Sequence, residues 1–213
     1  MAAPNPNKLY RPPSNMSIPS PSIAVTLATN PPAFALGSDV EISVTAISNA
    51  TYPITIFTWP NVFNLELAQQ RGNFVGVDRD TGMKLPMHDV QIKRVGYVHT
   101  LGGLDDKYHV TLEPSQPFRF NESFYLALAS RFREDPSSDS DLREGHANLL
   151  PGHRHLVDIR KNYHDSRLWW KKGRKEDVLD LPGQVRGGSE PSGEPIVLSL
   201  DEPVEFKVLP LEG

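Results

Sequence analysis

Short runs in which apolar and polar residues strictly alternate constrain this chain more than any other feature. Ile23, Val25 and Leu27 alternate with Ala24, Thr26 and Ala28, and Val40, Ile42, Val44 and Ala46 alternate with Glu41, Ser43 and Thr45. Near the end, Ile196, Leu198 and Leu200 and then Val204, Phe206 and Val208 repeat the pattern, split by Asp201-Glu202-Pro203. A period of two places every second side chain on one face of an extended strand, the signature of a half-buried β-strand. Asn30-Pro31-Pro32, Ser48-Asn49-Ala50 and Pro60-Asn61 punctuate the first three runs with turn chemistry.

The third run, Tyr52 to Trp59, carries strong β-formers on both faces, which predicts a strand near the centre of a sheet. Phe74 to Asp78 and Met83 to Leu85 flank Arg79-Asp80-Thr81-Gly82, a good hairpin turn because glycine takes positive φ freely. Further strands are predicted at Val90-Ile92, at Tyr108, Val110 and Leu112, at Phe118 and Phe120, and at Leu156 to Ile159. Ser123 to Phe132 reads equally as strand or short helix, and Leu168 to Leu181 reads as a short helix broken at Gly173. Together these predict an all-β fold: an antiparallel immunoglobulin-like sandwich with long loops and at most one or two short helices. No alternation of helix with strand argues for a parallel sheet or a nucleotide-binding switch point.

The 213 residues fit one domain, and 20 prolines with 15 glycines suit short strands joined by elaborate connections. Residues 1–21, with six prolines, read as a disordered tail, and 22–213 as the sandwich, with mobile loops at 135–146 and 186–194. There is no cysteine, which excludes disulfides, thiol catalysis and thiolate metal sites. A net charge of −4 gives no global attraction to nucleic acid or anionic membrane. With neither a signal-like apolar leader nor a membrane-length apolar run, the expected location is the cytoplasm.

Asp39 to Trp59, with Ser48-Asn49 ahead of Tyr52-Pro53-Ile54-Thr55-Ile56, resembles the opening strands of immunoglobulin-like modules. Leu150-Pro151-Gly152-His153-Arg154-His155 resembles the turn into the strand bearing a tyrosine corner, with His155 where the tyrosine stands. Over nearly the whole ordered part, the layout is similar to uncharacterised immunoglobulin-like β-sandwich proteins of filamentous fungi. The marks are Pro53-Ile54-Thr55-Ile56 followed by Trp59, Asp80-Thr81-Gly82, Leu149-Leu150-Pro151-Gly152, and Trp169-Trp170. That resemblance implies a fold and no activity. The second and third strands also resemble intracellular proteinase-inhibitor sandwiches, which implies protease inhibition as a further possibility.

No nucleophile elbow, phosphate loop, dinucleotide fingerprint or zincin helix is present, so no catalytic residue is assigned. Trp169-Trp170-Lys171-Lys172-Gly173-Arg174-Lys175 sets two aromatics beside four cations, a composition that stacks on a ring while holding a phosphate. The plainer reading has the tryptophans capping the core and the lysines forming its solvated rim. Histidines gather late, at His146, His153, His155 and His164. His153 and His155, two apart on a strand, share a face and would hold zinc if Asp158, His164 or Asp165 supplied a third ligand. On sequence alone these are surface histidines, and neither a metal nor a cofactor is assigned. Trp169, Trp170, Lys172, Arg174, His153 and His155 are therefore the candidate ligand-binding residues. The leading expectation is a non-catalytic module that binds another protein through an edge strand or long loops. The alternative is an enzyme or small-ligand binder whose pocket is formed by the loops around Trp169-Trp170 and the late histidines.

Overall fold

A computed structural model of the chain describes residues 20–59, 61–85, 87, 96–126, 149–160, 168–183 and 190–210. The expected strand at Val90-Ile92, the loop at 135–146, most of the ambiguous segment after Ser123, and His146, His164 and Asp165 lie outside the described residues, as does nearly all of the expected tail.

Among the described residues, eleven strands form three sheets. β1 (Ser22–Asn30) pairs antiparallel with β3 (Glu41–Ser48), Ile23 opposite Ser48 and Asn30 opposite Glu41. β3 pairs on its other side with β7 (Pro117–Ser123), and β10 (Val197–Leu200) lies parallel to β1, giving the order β10-β1-β3-β7. The second sheet has the order β2-β11-β8-β5, built from β2 (Ala33–Phe34), β11 (Val204–Val208), β8 (Arg154–Ile159) and β5 (Phe74–Asp78). The third has β4 (Ile54–Phe57) between β6 (His109–Leu112) and β9 (Trp170–Lys172). All four residues of β4 are buried, the burial expected for a central strand with β-formers on both faces.

β1 alternates buried and exposed from Ile23 to Asn30, as its sequence period requires. Its inward residues join Ile42, Val44 and Ala46 of β3, Val157 and Ile159 of β8, and Phe206 and Val208 of β11 in one core cluster with Ile54, Ile56 and Trp170. Removing each large aliphatic side chain from water contributes about 1.5–3 kcal/mol, the main favourable term for such a fold.

Helix α1 (Leu65–Gln70) is absent from the sequence reading, although its signal is present: the Asn64 side chain accepts from the Leu67 N–H, ahead of a Leu-Glu-Leu-Ala-Gln-Gln run of good helix formers. The helix expected across Leu168 to Leu181 divides in two. Its first part is strand β9, because Trp170 pairs with Ile56 in the ladder, and only α2 (Lys175–Val178) is helical. Gly173 makes the break at φ +122, and a Cβ there would sit 2.7 Å from Val178 Cγ1. No described helix is long and apolar enough to cross a membrane.

Candidate functional site

Strand alternation separates the six residues nominated from sequence. Trp170 faces inward and is 0 % exposed, and its indole N–H donates to the Glu194 carbonyl at 2.8 Å. Trp169 faces the other way and stacks on His99, ring centroids 4.3 Å apart and 2° from parallel. The Lys172 ammonium lies over the Tyr52 ring at 4.4 Å, and Arg174 grips both oxygens of Glu113 at 2.7 and 3.4 Å. His153 and His155 belong to the second sheet, at the start of β8. The structure thus brings Trp169 to two earlier histidines, His99 and His109, and does not bring it to Trp170, Lys172 or Arg174.

Around Trp169, His99 Nδ1 and His109 Nε2 are 2.8 Å apart, and His109 Nδ1 is 2.9 Å from the Asp105 carbonyl oxygen. A carbonyl only accepts, so His109 donates from Nδ1 and accepts at Nε2, and His99 donates from its Nδ1. Phe57 packs against both rings, at 5.3 Å from His99 and 4.9 Å from His109. Burial, followed by the neighbouring His99, pushes the His109 proton affinity down to about 4, and burial lowers that of His99 as well. Both imidazoles are therefore neutral at pH 7. Burial also lowers the Lys171 pKa.

The second cluster surrounds the hairpin after β5. The Asp78 carboxylate, fully buried, accepts the N–H groups of Asp80 and Thr81 at Oδ1 and His153 Nδ1 at Oδ2, at 2.9, 3.0 and 2.8 Å. Burial opposes its charge, but those backbone donors and His153 outweigh it and hold the carboxyl below its ordinary range. Asp80 is bound by the Arg154 N–H and guanidinium, both at 2.8 Å. Oxygens of Asp78 and Asp80 and a nitrogen of His153 lie within 4.8 Å of one another, a spacing that could hold a metal ion. His155 stands directly across the ladder from Asp78 and is 0 % exposed, with the Leu150 backbone beside its ring. Burial drives its proton affinity down, while the Asp78 charge and the nearby Leu150 carbonyl pull the other way. Of the third ligands expected from sequence, Asp158 lies on β8 one place out of step with His155, and its carboxylate accepts the Ile159 N–H. The signal that could have found Asp78 and Asp80 is their i, i+2 spacing at the mouth of a hairpin.

The third region is β7. Phe118 and Phe120 lie opposite Ala46 and Val44, so they are on the face that elsewhere forms the core. Yet Phe118 is 39 % exposed and Phe120 only partly buried. With Phe63, Tyr108 and Val110 they line an open groove of about 400 Å³, rimmed by Glu66, Lys107 and Glu122. Phe120 packs on Phe118 and Phe63 at 4.8 and 5.1 Å. Glu122 also borders a second recess of about 300 Å³ that contains Asp39 and Glu41.

The β7 backbone is an edge, since β7 pairs only with β3 among the described strands. Phe124 donates to the directly opposite Val40 carbonyl at 2.7 Å, so Phe118, Phe120 and Glu122 bond inward to β3 while Arg119, Asn121 and Ser123 point outward. The buried Gln69 side chain caps the far end of this edge as a neighbouring strand would. Its amide donates to the Ser123 carbonyl and accepts the Tyr125 N–H, both at 2.9 Å. The Ser123 N–H is taken by the Glu122 carboxylate at 2.9 Å. Among the described residues, the outward N–H and C=O groups of Arg119 and Asn121 have no partner. Pro117 and the Arg119–Glu41 pair at 3.0 Å guard the strand against indiscriminate pairing.

Compared with family models, curated proteins and solved structures, the chain matches none.

Proposed function

We propose that this protein is a non-catalytic binding module that takes an extended segment of a partner protein onto the β7 edge. The carrying observation is the meeting of an edge that has no described partner at Arg119 and Asn121 with core-face aromatics, Phe118 and Phe120, that line an open groove. In such strand addition, backbone hydrogen bonds supply affinity, and pockets for alternate side chains supply specificity. The partner segment is apolar at alternate positions and basic at a flank, to match Glu66 and Glu122 at the rim and Asp39 and Glu41 just beyond. Sheets carrying β1, β3 and β7 on one side and β11, β8 and β5 on the other, around a common core, support the immunoglobulin-like sandwich reading. The β6-β4-β9 sheet is an addition to that plan. The cytoplasm remains the proposed location, consistent with a chain that has no disulfide to form.

The test is selection of extended peptides from a display library, followed by titration against variants. Phe118→Ser removes groove surface, and Asn121→Pro removes one outward donor without touching the β3 ladder. Each should weaken a selected peptide at least about tenfold while leaving the circular dichroism spectrum unchanged. No enrichment, or peptides indifferent to both changes, would overturn the reading.

A second reading, a small-ligand site at Trp169, has one observation in its favour. The tautomers fixed by Asp105 leave His99 Nε2 as an acceptor beside the stacked Trp169 ring. It predicts a metabolite-induced thermal shift that Trp169→Ala abolishes, and a flat response across a broad panel would remove it.

A further inference from the structure

Resting on β7 as the docking edge, we propose that a second copy of this chain closes that edge in concentrated protein, β7 against β7, antiparallel about a two-fold axis at Phe120. The two residues whose outward N–H and C=O groups have no described partner, Arg119 and Asn121, are two positions apart. In an antiparallel ladder, two outward-pointing residues set directly opposite each other exchange both of their hydrogen bonds. Turning the strand about Phe120 sets Arg119 opposite the second copy's Asn121, and Asn121 opposite its Arg119, so four backbone bonds form. The same operation brings Phe120 against its own counterpart at the non-hydrogen-bonded position. Side chains lie closest there, and an aromatic pair adds to the contact.

The ends of β7 select this register. Pro117 has no N–H to donate, and it falls opposite Ser123, whose N–H and carbonyl are already taken by Glu122 and Gln69. Ahead of Pro117 the chain turns at Ser115, φ +55, and the Ser115 N–H donates to the Ser48 carbonyl at 3.0 Å. That bond holds the incoming chain on the β3 side, clear of the second copy's Gln69. An axis at Arg119 would set two arginines face to face, and like charges directly opposite are destabilising. An axis at Asn121 would face Arg119 with the capped Ser123 and leave two bonds in place of four. Paired about Phe120, the β10-β1-β3-β7 sheet runs on into its counterpart. So short a contact falls below the roughly 1,200 Å² of a stable complex, so the pair parts on dilution and frees the edge for a partner segment. Self-pairing and partner binding exclude each other.

The experiment is sedimentation equilibrium of the full-length protein between about 10 µM and 1 mM, the range of weak association. The unaltered chain should show a reversible monomer–dimer equilibrium. Asn121→Asp places a carboxylate opposite Arg119 twice in each dimer and should tighten it at least about threefold, while Asn121→Arg should weaken it by as much. Asn121→Pro, which removes an outward donor from each copy, should abolish it. The two charge variants, at an exposed position, decide the matter if the proline variant does not fold. A monomer at every concentration, or a dimer indifferent to the charge at position 121, would overturn the self-pairing. A monomer that still binds the selected peptides overturns the self-pairing alone, and a monomer that binds none removes the docking edge with it.

Discussion

Replacing Trp170 by alanine should lower the free energy of unfolding by about 3–5 kcal/mol, a large share of the roughly 5–15 kcal/mol that holds a domain together. Trp170 is fully buried, and it reaches from the third sheet into the cluster that β1, β3, β8 and β11 share. Its indole N–H is satisfied by the Glu194 carbonyl, so truncation opens a cavity and removes that hydrogen bond. Trp169→Ala should cost much less, on the order of 1 kcal/mol, because that ring lies half-exposed on His99. Urea denaturation of the two variants checks both figures. Equal losses would mean that the division of roles across β9 is wrong.

Acid should weaken the fold well before its carboxylates titrate. The unfolded chain takes up a proton at His109 near pH 6.5, whereas the folded chain keeps that ring neutral down to about 4. Between those values the unfolded state binds more protons, so stability falls as the pH falls. The window of about 2.5 pH units corresponds to roughly 3 kcal/mol from this residue, and nothing further is lost from it below pH 4. His99 and His155, also held below their ordinary values, act in the same direction. Asp78 acts lower still. Its depressed carboxyl contributes stability that is intact above pH 3.8 and is lost as the pH drops below it. Urea midpoints at pH 7 and pH 4.5 should therefore differ strongly, and His109→Gln should flatten the difference whatever it costs at pH 7. A midpoint independent of pH in this range would remove the buried-histidine account.

Local pattern made the strands of the core legible. β1 and β11 announce themselves because one face meets the core and the other meets water, so burial writes itself into the alternation. β4 was readable for the opposite reason, since β-formers on both faces mark a strand covered on both sides. The helix α1 is hard to see in the sequence because six residues carry too little period to stand against a turn-rich context. β9 is hidden in the sequence because three strand residues, followed by a glycine and one helical turn, mimic a broken helix. The sites were harder for a physical reason. The Asp78–His153 contact joins residues 75 positions apart and exists only because β5 and β8 are neighbours. The pair His99 and His109 likewise depends on a loop returning to β6 beside Trp169. The openness of β7 is a property of what stands beside it. Phe118-Arg119-Phe120 reads as an ordinary half-buried strand, and only the assembled sheets show that its core face is uncovered.

The edge itself can be measured directly, by residue-resolved amide hydrogen exchange of the free protein and of its complex with a selected peptide. The amides of Phe118, Phe120 and Glu122 should be protected in both, while those of Arg119 and Asn121 should exchange rapidly in the free protein and slow when the peptide binds. Protection of Arg119 and Asn121 in the free monomer, or no slowing in the complex, would contradict the assignment of β7 as the docking edge.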